Sequence, residues 1–224
     1  MSRVRDALFP GLSMKGGAGI WLLVAGAVLT LGGAYLAWRS FSAGPMPAGE
    51  VPTVSIVGDR QPLPAFSLQG PRGPLTDVDL RGSWSFLFFG YTQCPDICPT
   101  ALALMKEVGA ALTVDKAVPP APTFKVVFVS VDPRRDNPEL LRQYLAAFDP
   151  AFIGVSGDDA ALAPLVAALG IYYRRNDATD AKNYTVDHSA AIHLIDPQGR
   201  LAAVFSPPQE AAKIVADFRR IAGR

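Results

Sequence analysis

Trp84 to Phe89, with Gly90 at its end, is a near-continuous apolar run, and the chain repeats the device at Phe124-Lys125-Val126-Val127-Phe128-Val129-Ser130-Val131. A strand that is apolar on both faces must be covered on both sides, which confines this chain to a sheet flanked by helices. The intervening segments supply the cover. Thr100 to Leu112 reads as a helix. Asn137 followed by Pro138 signals an N-cap and first turn, and Leu140, Leu141, Tyr144, Leu145 and Phe148 share one helical face. Phe152 to Val155 is a short strand, and Asp158 or Asp159 caps a further helix that stops at Gly170. Ala190 to Ile195, the turn Asp196-Pro197-Gln198-Gly199 and Leu201 to Phe205 make a hairpin, and Pro208 to Ile221 closes the domain as a helix. Ahead of all this, Ala65 to Leu68 and Leu75-Thr76, joined through Gly70 to Pro74, form a small opening hairpin. The predicted class is α/β, a mixed sheet in a thioredoxin-like fold.

The N-terminus sets the expected compartment. No residue from Gly16 to Trp38 is charged, and a helix over this stretch would cross a hydrocarbon core of about 30 Å. Trp21, Tyr35 and Trp38 lie toward its ends, where aromatic rings favour the headgroup layer. Arg3, Arg5 and Lys15 precede the run, and only Arg39 follows closely. That asymmetry keeps the short N-terminus in the cytoplasm and sends the rest across the membrane. A cleaved signal peptide, cut near Ser40 to Ala43, is the alternative, although its apolar core would be shorter, about 7–15 residues. The expected division is residues 1–15 cytoplasmic, 16–38 a transmembrane anchor, 39–62 a linker rich in Gly and Pro, and 63–224 the folded domain. A net charge of +1 over 224 residues gives no field for nucleic acid.

Between the first long strand and its helix lie the chain's two cysteines, in Tyr91-Thr92-Gln93-Cys94-Pro95-Asp96-Ile97-Cys98-Pro99-Thr100. If Cys98 falls in the first helical turn, the helix dipole favours its thiolate. Side chains four apart on a helix lie about 5–6 Å apart at Cβ, a gap that a metal with S–M bonds near 2.3 Å can span. A disulfide needs Cβ atoms about 3.5–4.5 Å apart and would deform the turn, while closing too short a loop to constrain the unfolded chain much. Dedicated thioredoxin-like oxidoreductases use Cys-x-x-Cys, so the extra residue shifts the expectation toward metal.

The chain has two histidines to complete a site. His188 lies in the polar segment Tyr184-Thr185-Val186-Asp187-His188-Ser189, whereas His193 sits between Ile192 and Leu194 as an ordinary strand residue. Their odd separation places them on opposite faces of a strand. From pattern alone, His188 is an open candidate. Two thiolates and an imidazole suit copper, Cu(I) above all, while structural zinc usually takes a fourth protein ligand.

At these residues the chain resembles the SCO/SenC family of membrane-anchored, thioredoxin-like copper chaperones for cytochrome c oxidase assembly. The resemblance runs from about Ala65 to Phe218. It is carried by Asp79-Leu80-Arg81-Gly82, by Phe88 to Thr100 with its Cys-x-x-x-Cys, by Val129 to Asp136, and by Tyr184 to Ser189 with Leu194 to Gly199. It implies that Cys94, Cys98 and His188 are metal ligands for Cu(I) or Cu(II). The implied task is delivery of copper to the Cu(A) centre of oxidase subunit II. The alternative is an enzymatic one, thiol:disulfide exchange at Cys94 and Cys98 that reduces the Cu(A) cysteines. Further expected partners are a periplasmic copper donor or thiol reductant, and the expected location is the inner membrane, single-pass, with the C-terminal domain on the periplasmic side. At position 193 the family pattern leads one to expect an aromatic residue such as Tyr.

Asp132 and Asp136 read as turn residues of a strand-to-helix loop rather than as catalytic carboxylates. Asp187 is left open between orienting His188 and shaping its loop. Met105 reads as core, Met14 and Met46 lie outside the folded domain, and Tyr172 to Arg175 read as a solvated strand end.

Overall fold

The structure, a computed structural model, describes residues 18–42, 53–114, 123–176 and 184–223. Two units are distinguished, one up to Val51 and one from Pro52 onward. The first contains α1, Ala18–Ser42, a 25-residue helix whose Trp21, Leu29 and Trp38 side chains are exposed. Among the described residues no helix is long and apolar enough to cross a membrane. The side chains of residues 18–20, 22 and 40–42 are outside the described set, as are Arg3, Arg5, Lys15, Met14, Met46 and the cleavage position Ala43.

In the second unit the elements follow in order: β1 (Val54–Ile56), β2 (Ser67–Gly70), β3 (Gly73–Thr76), β4 (Trp84–Gly90), α2 (Ile97–Val114), β5 (Phe124–Ser130) and α3 (Pro138–Ala146). Next come β6 (Ile153–Val155), α4 (Asp159–Leu169), β7 (Tyr173–Asn176), β8 (Thr185–His188), β9 (Ile192–Ile195), β10 (Leu201–Phe205) and α5 (Ala211–Ala222). Six strands form one sheet in the order β1-β10-β9-β4-β5-β6. Its centre pairs β4 with β5 in parallel and β4 with β9 in antiparallel, and β10 runs antiparallel beside β9. This is the mixed sheet expected, and every residue of β4 is buried.

Apolar side chains pack on both faces of the sheet. On one, Phe86 meets Phe218 of α5 at 5.3 Å between ring centroids, with Leu102 and Met105 of α2 alongside. On the other, Leu87 and Phe89 pack with Leu162 and Leu165 of α4. The capping residues act as read from sequence: Asn137 Oδ1 accepts the Leu140 amide, and Asp158 Oδ1 accepts that of Ala161. Gly170 ends α4 at φ 64°, a left-handed conformation that other residues adopt only with strain.

Two features differ from the sequence expectation. The edge strand β1 was not anticipated, and Tyr173–Asn176 is no solvated end, because it pairs with Thr185–His188 as a separate two-stranded ribbon. His188 and His193 therefore sit on different strands, so strand parity is not what separates them.

Candidate metal centre

Strands β4 and β5 run parallel and finish together, Gly90 beside Ser130, so the loops that follow them leave the sheet side by side. The first loop carries the cysteines. Its turn is pinned by the Cys94 amide donating to the Tyr91 carbonyl at 3.2 Å. The helix after it begins earlier than Thr100, at Ile97, with Cys98 and Pro99 in its first turn, where a proline's missing N–H is harmless. Cys98 is fully buried against the core, Cys94 is half-buried, and both are free thiols. Gly90 makes room for Cys98: a Cβ there would lie 2.5 Å from Cys98 Sγ and 3.0 Å from the Phe128 ring.

His188 arrives from the end of β8. Its Nε2 lies 3.5 Å from Cys98 Sγ, and the ligand atoms of Cys94, Cys98 and His188 all fall within 4.8 Å of one another. A three-coordinate ion with M–S near 2.3 Å and M–N near 2.0 Å asks for separations of about 4.0 Å between sulfurs and about 3.7 Å between sulfur and nitrogen. The three groups therefore need little movement to close on one ion. Nδ1 lies 3.1 Å from the Ser189 carbonyl, so it carries the proton and donates there. That tautomer turns the Nε2 lone pair toward the sulfurs, the orientation in which imidazole binds a metal. The ring stands edge-on to Phe88 and Tyr91, at 6.1 and 5.8 Å.

Burial sets the protonation of these groups. Desolvation pushes the Cys98 thiol well above the usual cysteine range and lowers the imidazole of His188 below its usual value. The thiolate expected of Cys98 from the helix dipole is thus overruled: removing a thiolate from water outweighs a helix terminus. A metal entering here must displace the Cys98 proton.

The second loop is the turn read from sequence, with the Arg135 and Asp136 amides donating to the Asp132 carbonyl at 3.1 and 2.9 Å. The Asp132 and Asp136 side chains are buried, however, which was not foreseen. Asp136 accepts from the Thr92 amide at 3.0 Å, the Thr92 hydroxyl at 2.5 Å and the Ser130 hydroxyl at 2.7 Å, and burial raises its carboxyl above the usual range. Asp132 accepts from Arg135 Nε and, at 2.5 Å, from the Tyr184 hydroxyl. One buried polar network thereby joins the cysteine loop to the ribbon bearing His188. The available signal was two Asp and two Arg in Asp132 to Asp136, directly after a fully buried strand.

Asp187 does not orient His188: it pairs with Arg174 at 3.2 Å and accepts from Asn176, and the Ser189 carbonyl takes the orienting place. His193 is buried edge-on to Phe89, remote in role from the cluster, and burial lowers its imidazole to about 4. Met105 is core, as read.

Comparison with known proteins places this geometry in company. The family profile described as SCO1/SenC matches residues 58–223. The mitochondrial SCO2 homolog of Mus musculus is 35% identical over 156 residues, covering 69% of this chain and 60% of the relative. The SCO2-like protein of Rickettsia prowazekii is 36% identical, covering 69% of this chain and 74% of its own. The chain spans 53–60% of the length of the mammalian SCO2 relatives it matches. Among solved structures, ScoI of Bradyrhizobium japonicum with copper bound is 36% identical with a TM-score of 0.62, covering 72% of this chain and 99% of that one. Apo Sco1 of Thermus thermophilus is 32% identical with a TM-score of 0.65, covering 75% of this chain and 96% of that one.

Proposed function

The chain belongs to the SCO1/SenC family, and we propose that it is a membrane-anchored copper chaperone that carries its cargo on Cys94, Cys98 and His188. One observation carries the reading: three soft or borderline donors from two distant stretches of chain converge within 4.8 Å, with the imidazole lone pair aimed at the sulfurs. Two sulfurs and one nitrogen favour copper over hard cations. Cu(I) is held chiefly by the thiolates, and the imidazole completes the site for Cu(II). The recipient is the Cu(A) centre of cytochrome c oxidase subunit II. With three protein ligands the ion stays approachable, so a recipient's cysteines can replace Cys94, the more exposed sulfur, before Cys98 lets go.

The remaining parts follow from that task. Residues 16–38 anchor the chain in the inner membrane, 1–15 stay in the cytoplasm, 39–62 are the tether, and 63–224 work on the periplasmic side. The exposed apolar surface of α1, with Arg39 as its basic end, supports the anchor. A periplasmic donor loads the copper, or a thiol reductant keeps the pair reduced.

The unequal exposure of the two cysteines favours one further reading, reduction of the recipient's disulfide. Cys94 thiolate would attack one sulfur of that disulfide and expel the other as thiolate. Cys98 would then attack Cys94, releasing the second thiol and leaving a Cys94–Cys98 disulfide. Two electrons pass to the partner, and the metal plays no part.

The test is copper titration of the reduced full chain in detergent micelles. One copper ion per chain is expected, with thiolate-to-copper charge transfer in the Cu(II) form. His188→Ala should weaken Cu(II) binding by about a hundredfold or more, beyond the range found for residues that only orient ligands, while the dithiol remains oxidisable. Unchanged Cu(II) affinity in that variant would refute the ligand set.

A further inference from the structure

Arg135 touches the supports of both halves of the site. Its side chain is 10% exposed, and it donates from Nε to Asp132. Nη1 donates to Gln93 Oε1 and to the Tyr184 carbonyl, each at 2.9 Å. Gln93 adjoins Cys94, and Tyr184 is the foot of the ribbon that ends in His188. The guanidinium carbon lies 3.7 Å from the Tyr184 ring centre and 5.5 Å from that of Tyr91. Tyr91 in turn meets the His188 ring edge-on at 5.8 Å.

The ribbon is also fastened by packing, with Tyr184 and Val186 buried in the cluster that holds Leu87 and Phe89. Arg175 ties β7 to the Val131 carbonyl and to Asp159, but neither of these contacts reaches the cysteine loop. Arg135 bonds the cysteine loop and the ribbon at once, beside Tyr91, whose hydroxyl meets the Val186 backbone. The task needs a planar fork with donors in two directions and a flat face for an aromatic ring, which a lysine ammonium does not offer.

We propose that Arg135 is a positioning residue that sets the gap between the imidazole and the sulfurs, and thereby the Cu(II) affinity of the centre. The inference rests on the three-ligand reading above and goes beyond it, because Arg135 holds no metal.

A double-mutant cycle on the reduced full chain in detergent, titrated with Cu(II), tests it. Arg135→Gln and Arg135→Lys should each weaken Cu(II) binding by about ten- to a hundredfold. In the His188→Ala background the same substitutions should leave the residual affinity unchanged, since the imidazole they position is gone. Thermal unfolding of the metal-free chains reports folding separately. Arg135→Lys keeps a cation beside Asp132 and is read in the same way if Arg135→Gln does not fold. An equal loss in both backgrounds would mean that Arg135 acts through the fold or the sulfurs, and parental affinity in Arg135→Lys would mean that charge suffices; either overturns the inference while the ligand set stands. Parental affinity in His188→Ala removes the ligand set and the inference together.

Discussion

Cys98 heads a helix fed directly by β4, a seven-residue strand buried along its whole length, whereas His188 ends a two-stranded ribbon outside the six-stranded sheet. The sulfur is placed by backbone ladders and close packing under Gly90. The imidazole is placed by side chains: Arg135 and Arg175 reach carbonyls, Tyr184 reaches Asp132, and only Tyr184 and Val186 of its strand and foot enter the core. Packed cores deform little, and side-chain tethers yield more readily. Damage to the cysteine side should therefore cost fold and metal together, while damage to the histidine side should cost metal first.

Gly90→Ala offers the strongest attempt to break this contrast. The new methyl would meet a buried sulfur and a buried ring, so about 3 kcal/mol of stability should go with copper affinity. Parallel denaturant and copper titrations would show it; metal loss with unchanged stability would make the cysteine side as pliable as the ribbon.

Nearly as large is the acid response of the sheet. His193 has a folded-state value of about 4 against about 6.5 for a free imidazole, so the folded chain refuses a proton that the unfolded chain accepts. This contribution is full above pH 6.5, declines as pH falls, and levels off below about 4, amounting to about 3 kcal/mol. Asp136, whose carboxyl is raised, acts in the opposite direction at the acid end. His193→Phe should flatten the stability profile between pH 6.5 and 4. A profile that keeps its slope would shift the acid lability away from β9 and toward the ribbon.

The smallest effect sharpens the contrast. Because burial holds Cys98 as a thiol, Cu(I) binding should strengthen by at least about tenfold per pH unit near neutrality, one proton leaving that sulfur as it takes up the ion. His188→Ala should keep this slope, since the proton comes from the cysteine side; its disappearance would assign the proton to the imidazole.

What could be read in the sequence follows the same boundary. Two near-continuous apolar runs read as buried strands, and Asn137-Pro138, Asp158 and Gly170 announced their helix ends through local chemistry. The Cys-x-x-x-Cys was conspicuous because cysteines are scarce. The ribbon escaped because Tyr173-Arg174-Arg175-Asn176 carries no apolar alternation and its partner strand comes after a separation of eight residues. The turn at Asp132 to Asp136 was legible but its burial was not, because the partner that folds over it, Tyr184, comes from a distant stretch of chain. The state of Cys98 was misjudged because a helix terminus is visible in sequence and desolvation is not.

The ribbon's attachment has a kinetic side. Lifting His188 away breaks side-chain contacts and leaves the main sheet's ladder whole, so the third ligand can depart and return as a separate event. Residence time then becomes a property of those contacts, adjustable by substitutions that never touch the sulfurs.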